Sequence, residues 1–389
     1  MNLLLALALM GCRTPATGPA PEALAATSED TSAEPLPVLV DAAGSLDVSA
    51  RGRALDLLIR YEPAPGGGQW GARALYDPHS YVQGLAVDAL ADRLDEPESA
   101  ELLAELVRRD DVEPYVRGAA AFALAQTGRT DLIDALKSAS KGLTYWQRVP
   151  LSLAAARMGD AEALADLQRS LALGELPLEL GFFEDVGASG LTELGPALIE
   201  ASSRVEEELV LPIGLALMQL GNTRGESLFR TALSDPNPEV RMEAMDYLAA
   251  NPMPASDALL SRARAQGPDA VRQYANLVRF SQGEGKLDVA WAALDSADRE
   301  SRQLAVRALA GYLASKGPPS EWRRTDRQVH AALRAALDDS ESTVVLEALQ
   351  ALATAGTPED RMALIPWLTS EPIVLRVEAA GAMLALDQS

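Results

Sequence analysis

The sequence predicts an all-α chain built as a solenoid of about 11 repeated units, each a helix pair of about 31 residues. Three observations predict it. Alanine and leucine dominate, aromatic residues are only 5% and β-branched residues are sparse, a composition that favours helix over strand. The chain has 389 residues, too many for one ordinary compact core, whereas a repeat array extends freely because each unit contacts only its neighbours. Third, one pattern returns along most of the chain, seen best in DPNPEVRMEAMDYLA from Asp235 to Ala249.

The pattern can be numbered from an anchor, the Arg of its Val-Arg pair. Anchors fall at Arg51, Gln83, Arg117, Arg148, Glu179, Val210, Arg241, Arg272, Arg302, Val345 and Arg376. Their intervals run from 30 to 34 residues, with a single one of 43. Alanine stands three residues after the anchor at 54, 86, 120, 244, 275, 305, 348 and 379. With the apolar residue before the anchor and those at +6 and +7, it forms one helical face. A small residue at +3 lets neighbouring helices approach closely. Glycine at +11 (128, 159, 190, 221, 283 and 356) can adopt a left-handed conformation and stop the helix. A second helical stretch follows, as in GDAEALADLQRSLAL from Gly159. Segments such as Asp235-Pro236 then turn the chain into the next unit. One pair cannot bury its own apolar stripe, so the units must stack.

These copies resemble the HEAT-like repeat family, in particular the short type named after phycobilisome lyases. The resemblance covers residues 46–389 and implies a right-handed α-solenoid that works through its surface. The middle units, QRVPLSLAAARMG, LELGFFEDVGASG and LVLPIGLALMQLG, keep the spacing but lose most of the alanine and arginine signature. The seven anchor arginines form a ladder. They are expected to pair with nearby acids such as Asp77, Asp111, Asp235 and Asp339, each six residues before an anchor position; in the family such residues tie successive repeats together.

Ahead of the array lie two further segments. MNLLLALALMGC ends a short apolar run at Cys12, the one cysteine of the chain. It resembles the bacterial lipoprotein signal, with Leu9 at −3 and Gly11 at −1. The resemblance implies cleavage after residue 11 and lipidation of Cys12. Arg13, rather than Asp, follows, so the family's sorting rule implies an outer membrane, with the protein facing the periplasm. The segment is short for such a signal and carries no Lys or Arg. Residues 12–45, rich in Pro, Ala, Ser, Thr and acids, read as a disordered tether, and 46–389 as the solenoid.

Composition narrows the function. The formal net charge is −22, which repels phosphates and argues against nucleic-acid binding through a broad basic face. A single cysteine rules out an intrachain disulfide and a cysteine-rich metal site. No apolar run reaches the roughly 18–20 residues that span a bilayer. The two histidines, His79 and His330, are about eight repeats apart, so no histidine cluster is expected for a metal. No GxSxG elbow is present, and Gly66-Gly67-Gly68 is not followed by Gly-Lys-Ser/Thr, so these glycines are expected to loosen a turn. The expectation is a non-enzymatic protein without cofactor.

Two places are candidates for partner binding. Val149, Leu153, Leu180, Phe183, Leu211 and Leu215 replace polar residues of other units and would form an apolar strip on the inner face, unless helices shifted at Pro150 and Pro212 bury them. The 43-residue interval carries a basic insertion with Lys316, Trp322, Arg323, Arg324 and Arg327, where a helix capped by Ser320 is the structural alternative. The expected role is a lipid-anchored scaffold or adaptor for protein partners. Alternatives are an enzyme or accessory of the phycobilin-lyase-like group, and an envelope protein that self-associates through an uncapped last unit at Asp387-Gln388-Ser389.

Overall fold

The computed structural model describes residues 34–62, 66–173, 180–266, 269–283, 286–316 and 322–388. Among these the α-helices are α1 (Pro35–Ala42), α2 (Val48–Tyr61), α3 (Gly66–Leu75), α4 (Ser80–Ala91), α5 (Pro97–Arg108), α6 (Pro114–Ala125), α7 (Ile133–Ala139) and α8 (Tyr145–Arg157). They continue as α9 (Ala161–Ala172), α10 (Leu180–Ala188), α11 (Gly195–Ala201), α12 (Val210–Gln219), α13 (Thr223–Ala232), α14 (Pro238–Ala250) and α15 (Pro254–Gln266). The last are α16 (Asp269–Ser281), α17 (Leu287–Leu294), α18 (Arg299–Ala314), α19 (Arg324–Ala335), α20 (Ser342–Ala355), α21 (Arg361–Leu364) and α22 (Ile373–Gln388). No strand occurs among the described residues. The protein is an all-α solenoid. Its chain forms two compact units, one from Glu62 through α15 and the other joining α1 and α2 to α16 through α22.

Most anchor helices share a local plan. All eight +3 alanines are buried, which brings successive anchor helices into direct contact, as in α4 on α6 and α18 on α20. Gly128, Gly159, Gly190, Gly221 and Gly283 have φ between 72° and 100°, so the predicted left-handed stop is present at five of the six +11 glycines. Gly356 ends α20 with φ −78° instead.

The arginine ladder works differently from the expected acid pairing. The residue six before the anchor uses its side chain to fold the loop. Ser45, Asp77, Asp235, Ser296 and Asp339 each accept from the N–H two residues on, at 2.8–3.1 Å. The main-chain carbonyl of that −6 residue then faces the anchor. Arg51 donates to Ser45 O (2.7 Å), Gln83 to Asp77 O (2.8 Å), Arg241 to Asp235 O (2.6 Å), Arg302 to Ser296 O (3.0 Å) and Arg376 to Ser370 O (2.7 Å). The acids therefore shape the turn, and the arginines hold its carbonyl. Arg302 adds a bidentate pair to a −6 acid, Asp339 of the next unit, at 2.8 and 3.0 Å. Arg117 instead donates to Val107 O and lies 3.7 Å from Asp110.

Two expectations from the sequence fail here. The tether was expected to run through residue 45, yet Pro35–Ala42 is helical. Leu39, Ala42 and Ala43 are buried where α1 packs on α2 and α22, and this tertiary burial orders a proline-flanked segment too short to be stable alone. Residues 1–33, with Cys12 and the signal, lie outside the described residues. The last unit is also not left open. Within this compact unit α1 packs on α22 as a second helix packs on its anchor helix, and α2 follows as the next anchor helix. Gly381 makes the approach possible, since a Cβ there would sit 2.6 Å from Leu57 Cδ1. Arg53 clamps the junction by donating to both oxygens of Glu378 (2.7 and 3.0 Å) and to Asp56, which also accepts from Arg60 at 2.6 Å. Gln388 adds a bond to Tyr61 O at 2.6 Å.

The glycine run Gly66-Gly67-Gly68 is the first turn of α3 rather than a loosened turn. Its lack of side chains admits Arg93 and Glu98, which press against it.

Candidate functional site

The predicted apolar strip is core. Val149, Leu153, Phe183, Leu211 and Leu215 are at most 4% exposed, so none of them offers a docking surface. The side chain of Leu180 lies outside the described residues. Close helix approach explains the burial. Pro150 sits inside α8, and Gly118 of α6 leaves no space for a Cβ against it (2.6 Å). Gly225 of α13 packs directly on the Gly214 carbonyl of α12. These small residues draw the middle helices together, and Phe182, Phe183 and Val186 of α10 complete a continuous core with α8, α9 and α11.

The basic insertion is largely tied into the fold. Lys316 lies 4.4 Å over the Tyr312 ring and donates to Gly283 O at 3.2 Å. Trp322 is buried against His330, with ring centroids 5.2 Å apart. Arg327 reaches Trp322 O at 3.5 Å. Arg323 and Arg324 remain exposed. Helix α19 is capped by Asp326, which accepts from the Arg323 N–H at 2.7 Å and from the Tyr312 hydroxyl at 2.8 Å; Ser320 lies outside the described residues. Burial and this carboxylate push the Tyr312 hydroxyl up to about 12. Three of the five residues, Lys316, Trp322 and Arg327, are thus held by contacts within the fold.

Both histidines have structural work. His79 caps α4, its ring nitrogen accepting from Tyr81 N–H at 3.3 Å. His330, on α19, is hydrogen-bonded to the fully buried Asp360 at 2.6 Å. Asp360 also accepts from the Thr357 N–H and hydroxyl, closing the turn into α21. Despite burial, the His330 and Thr357 donors hold the Asp360 carboxyl below its ordinary range. The sequence gives no sign of this pair, because its members are 30 residues apart on different units.

One titratable group stands apart. Asp185 of α10 occupies the +6 position, which Ala154 and Ala216 fill in the flanking units. Burial, and then the carboxylates of Asp88 and Glu184, raise it to about 7 against partial relief from Arg157. Arg157 itself stacks 4.1 Å over Phe122 and donates to its carbonyl. Asp185 can hold or release a proton near neutrality. Among the described residues no group of His, Cys, Asp and Glu could hold a metal ion, and no helix is long and apolar enough to cross a membrane.

Residues 69–146, spanning α3 to the start of α8, match the HEAT repeat family. The same anchor-helix geometry, with its buried +3 alanines, continues outside the matched segment. No curated protein matches the chain. Among solved structures it is similar to an engineered protein at 19% identity, covering 91% of this chain and 99% of that one, with a TM-score of 0.28. It is also similar to human deoxyhypusine hydroxylase in complex with glycerol, at 22% identity over 82% of this chain and 94% of the other, TM-score 0.28. A third is a chain from a structure concerned with a phosphorylation switch between cadherin and beta-catenin, at 15% identity over 90% and 94%, TM-score 0.27. At these scores the likenesses carry no argument about activity.

Proposed function

We propose that this protein is a non-enzymatic scaffold or adaptor, attached through lipid on Cys12 to a bacterial envelope membrane, with its HEAT-like solenoid binding protein partners from the periplasmic side. One observation carries the scaffold reading. The histidines and most anchor arginines are engaged in building the array: Arg51, Arg241, Arg302 and Arg376 on loop carbonyls, His79 on a helix cap and His330 on Asp360. What is left for work is the repeat surface, on a fold that hosts many tasks. The anchor rests on LALMGC and on the solitary Cys12; more than one acyl chain gives stable attachment where a single chain does not. Self-association through an open last unit is disfavoured, since α1 and α2 cover α22.

Palmitate labelling and membrane fractionation of the protein and its Cys12→Ser form test the anchor. Loss of label and of membrane attachment in the variant is expected; equal attachment without label would sink it. Crosslinking in the cell tests the scaffold: specific protein adducts are expected, and their absence at native abundance counts against the reading.

A further inference from the structure

A cleft of about 480 Å³ opens between α7, α8 and α9, within the range of small-ligand sites. Its floor is apolar, made by Leu136, Val149, Leu151 and Leu167, with Leu173 exposed at the rim.

The polar lining divides into spent and unspent groups. Lys137 is paired with Asp160 (2.6 Å) and Glu162 (3.5 Å), and Arg169 with Asp166 (3.0 Å). The Ser140 hydroxyl donates to Leu136 O. Three donors remain. The Arg148 guanidinium, on an exposed residue at the mouth of the cleft, makes no hydrogen bond or ion pair with any described residue, and neither do the hydroxyls of half-buried Ser152 and buried Ser170. Arg148 and Ser152 are four apart on α8 and so share one helical face, which meets the Ser170 side of α9 in the cleft.

Arg148 also differs from the other anchor arginines in the residue six before it. It is an anchor arginine, yet its −6 residue is Gly142, at φ 78°, which has no side chain to fold the loop as Asp235 or Ser296 does. Arg148 makes no bond to the Gly142 carbonyl of the kind that holds Arg241, Arg302 and Arg376. In this unit the array has released its staple into a cleft.

We infer that this cleft binds a carboxylate carrying an apolar group, with Arg148 taking the carboxylate in a bidentate pair, Ser152 and Ser170 adding hydroxyl donors, and the leucine–valine floor holding the apolar part. Lys137 is shared by Asp160 and Glu162 and Arg169 is taken by Asp166, so Arg148 is the one cation of the lining without a carboxylate partner among the described residues. Arginine's planar fork matches a carboxylate's two oxygens. Such a ligand is either a free medium-chain fatty acid or the C-terminus of a polypeptide ending in an apolar residue.

Calorimetric titration of the full chain with decanoate, below its micelle threshold, and with a hexapeptide ending in Leu-Leu tests this. Each has a neutral partner, decanol or the amidated peptide. Saturable binding of either anion, weakened about tenfold or more in its neutral partner and in Arg148→Gln, is expected. The anion that binds identifies the source. Arg230→Gln, which removes a surface cation paired with Glu226, serves as control and leaves affinity unchanged. Failure of both anions to bind overturns the inference, as does equal binding by Arg148→Gln or by the neutral partners. The readout is independent of lipidation and of any protein partner.

Discussion

Replacing Asp185 with Asn removes a penalty that grows with pH. A free aspartate loses its proton near 3.8, whereas the folded environment holds that of Asp185 to about 7. Below about pH 4 the carboxyl is neutral in both folded and unfolded chains and contributes no difference. Between pH 4 and 7 the unfolded chain releases the proton while the folded chain keeps it. Folded stability therefore falls as pH rises, by about 1.4 kcal/mol per unit. Over a gap of roughly three units this amounts to about 4 kcal/mol as an upper bound, constant above pH 7. Asn keeps the shape and cannot ionise. Urea unfolding followed by circular dichroism at pH 4.5, 6 and 8 reads the result. Asp185→Asn and the parent should nearly coincide at pH 4.5, and the variant should gain progressively to pH 8. A variant equal to or less stable than the parent at pH 8 would refute the reasoning, showing that Asp185 ionises freely or that Arg157 fully compensates it.

The remaining expectations concern the array. Arg241→Met removes a charged donor from the Asp235 and Pro236 carbonyls and should cost about 1.5–3 kcal/mol in urea unfolding, while Arg148→Met, with no staple to lose, should cost little. Glu378→Gln breaks the clamp on Arg53 beneath α1 and α2; a loss of about 3 kcal/mol or more is expected, and hydrogen exchange should rise first in Pro35–Tyr61. Gly159→Ala forces a side chain into φ 100° and should destabilise by about 1 kcal/mol or more, whereas Gly84→Ala, helical with open space at its Cβ, should stabilise by about 0.5–1 kcal/mol. Thermal melts of this glycine pair check whether backbone conformation, rather than residue type, sets the sign.

The repeat was legible because its physics is local. A +11 glycine needs only its own φ, and a +3 alanine needs only the next copy of the same helix. The candidate site was legible only in part. Val149 stood out for being apolar at a usually polar position, but it is buried and forms part of a cleft floor. Its neighbour Arg148 looked like one more rung of the ladder. Only Gly142 at the −6 position distinguishes it, and that signal has meaning once the carbonyl staple of the other units is known.

The sequence by itself determined the helical class, the repeat period, the helix stops and the lone cysteine in its apolar setting. Each depends on residues close together in the chain, where periodicity and backbone preference act directly. Tertiary structure alone decided that the apolar middle is core, that His330 meets Asp360, and that Pro35–Ala42 is a helix packed on Ile373–Gln388. Those outcomes rest on burial and pairing between segments tens or hundreds of residues apart, such as Arg53 with Glu378, and no local pattern encodes which distant surface will cover a given side chain.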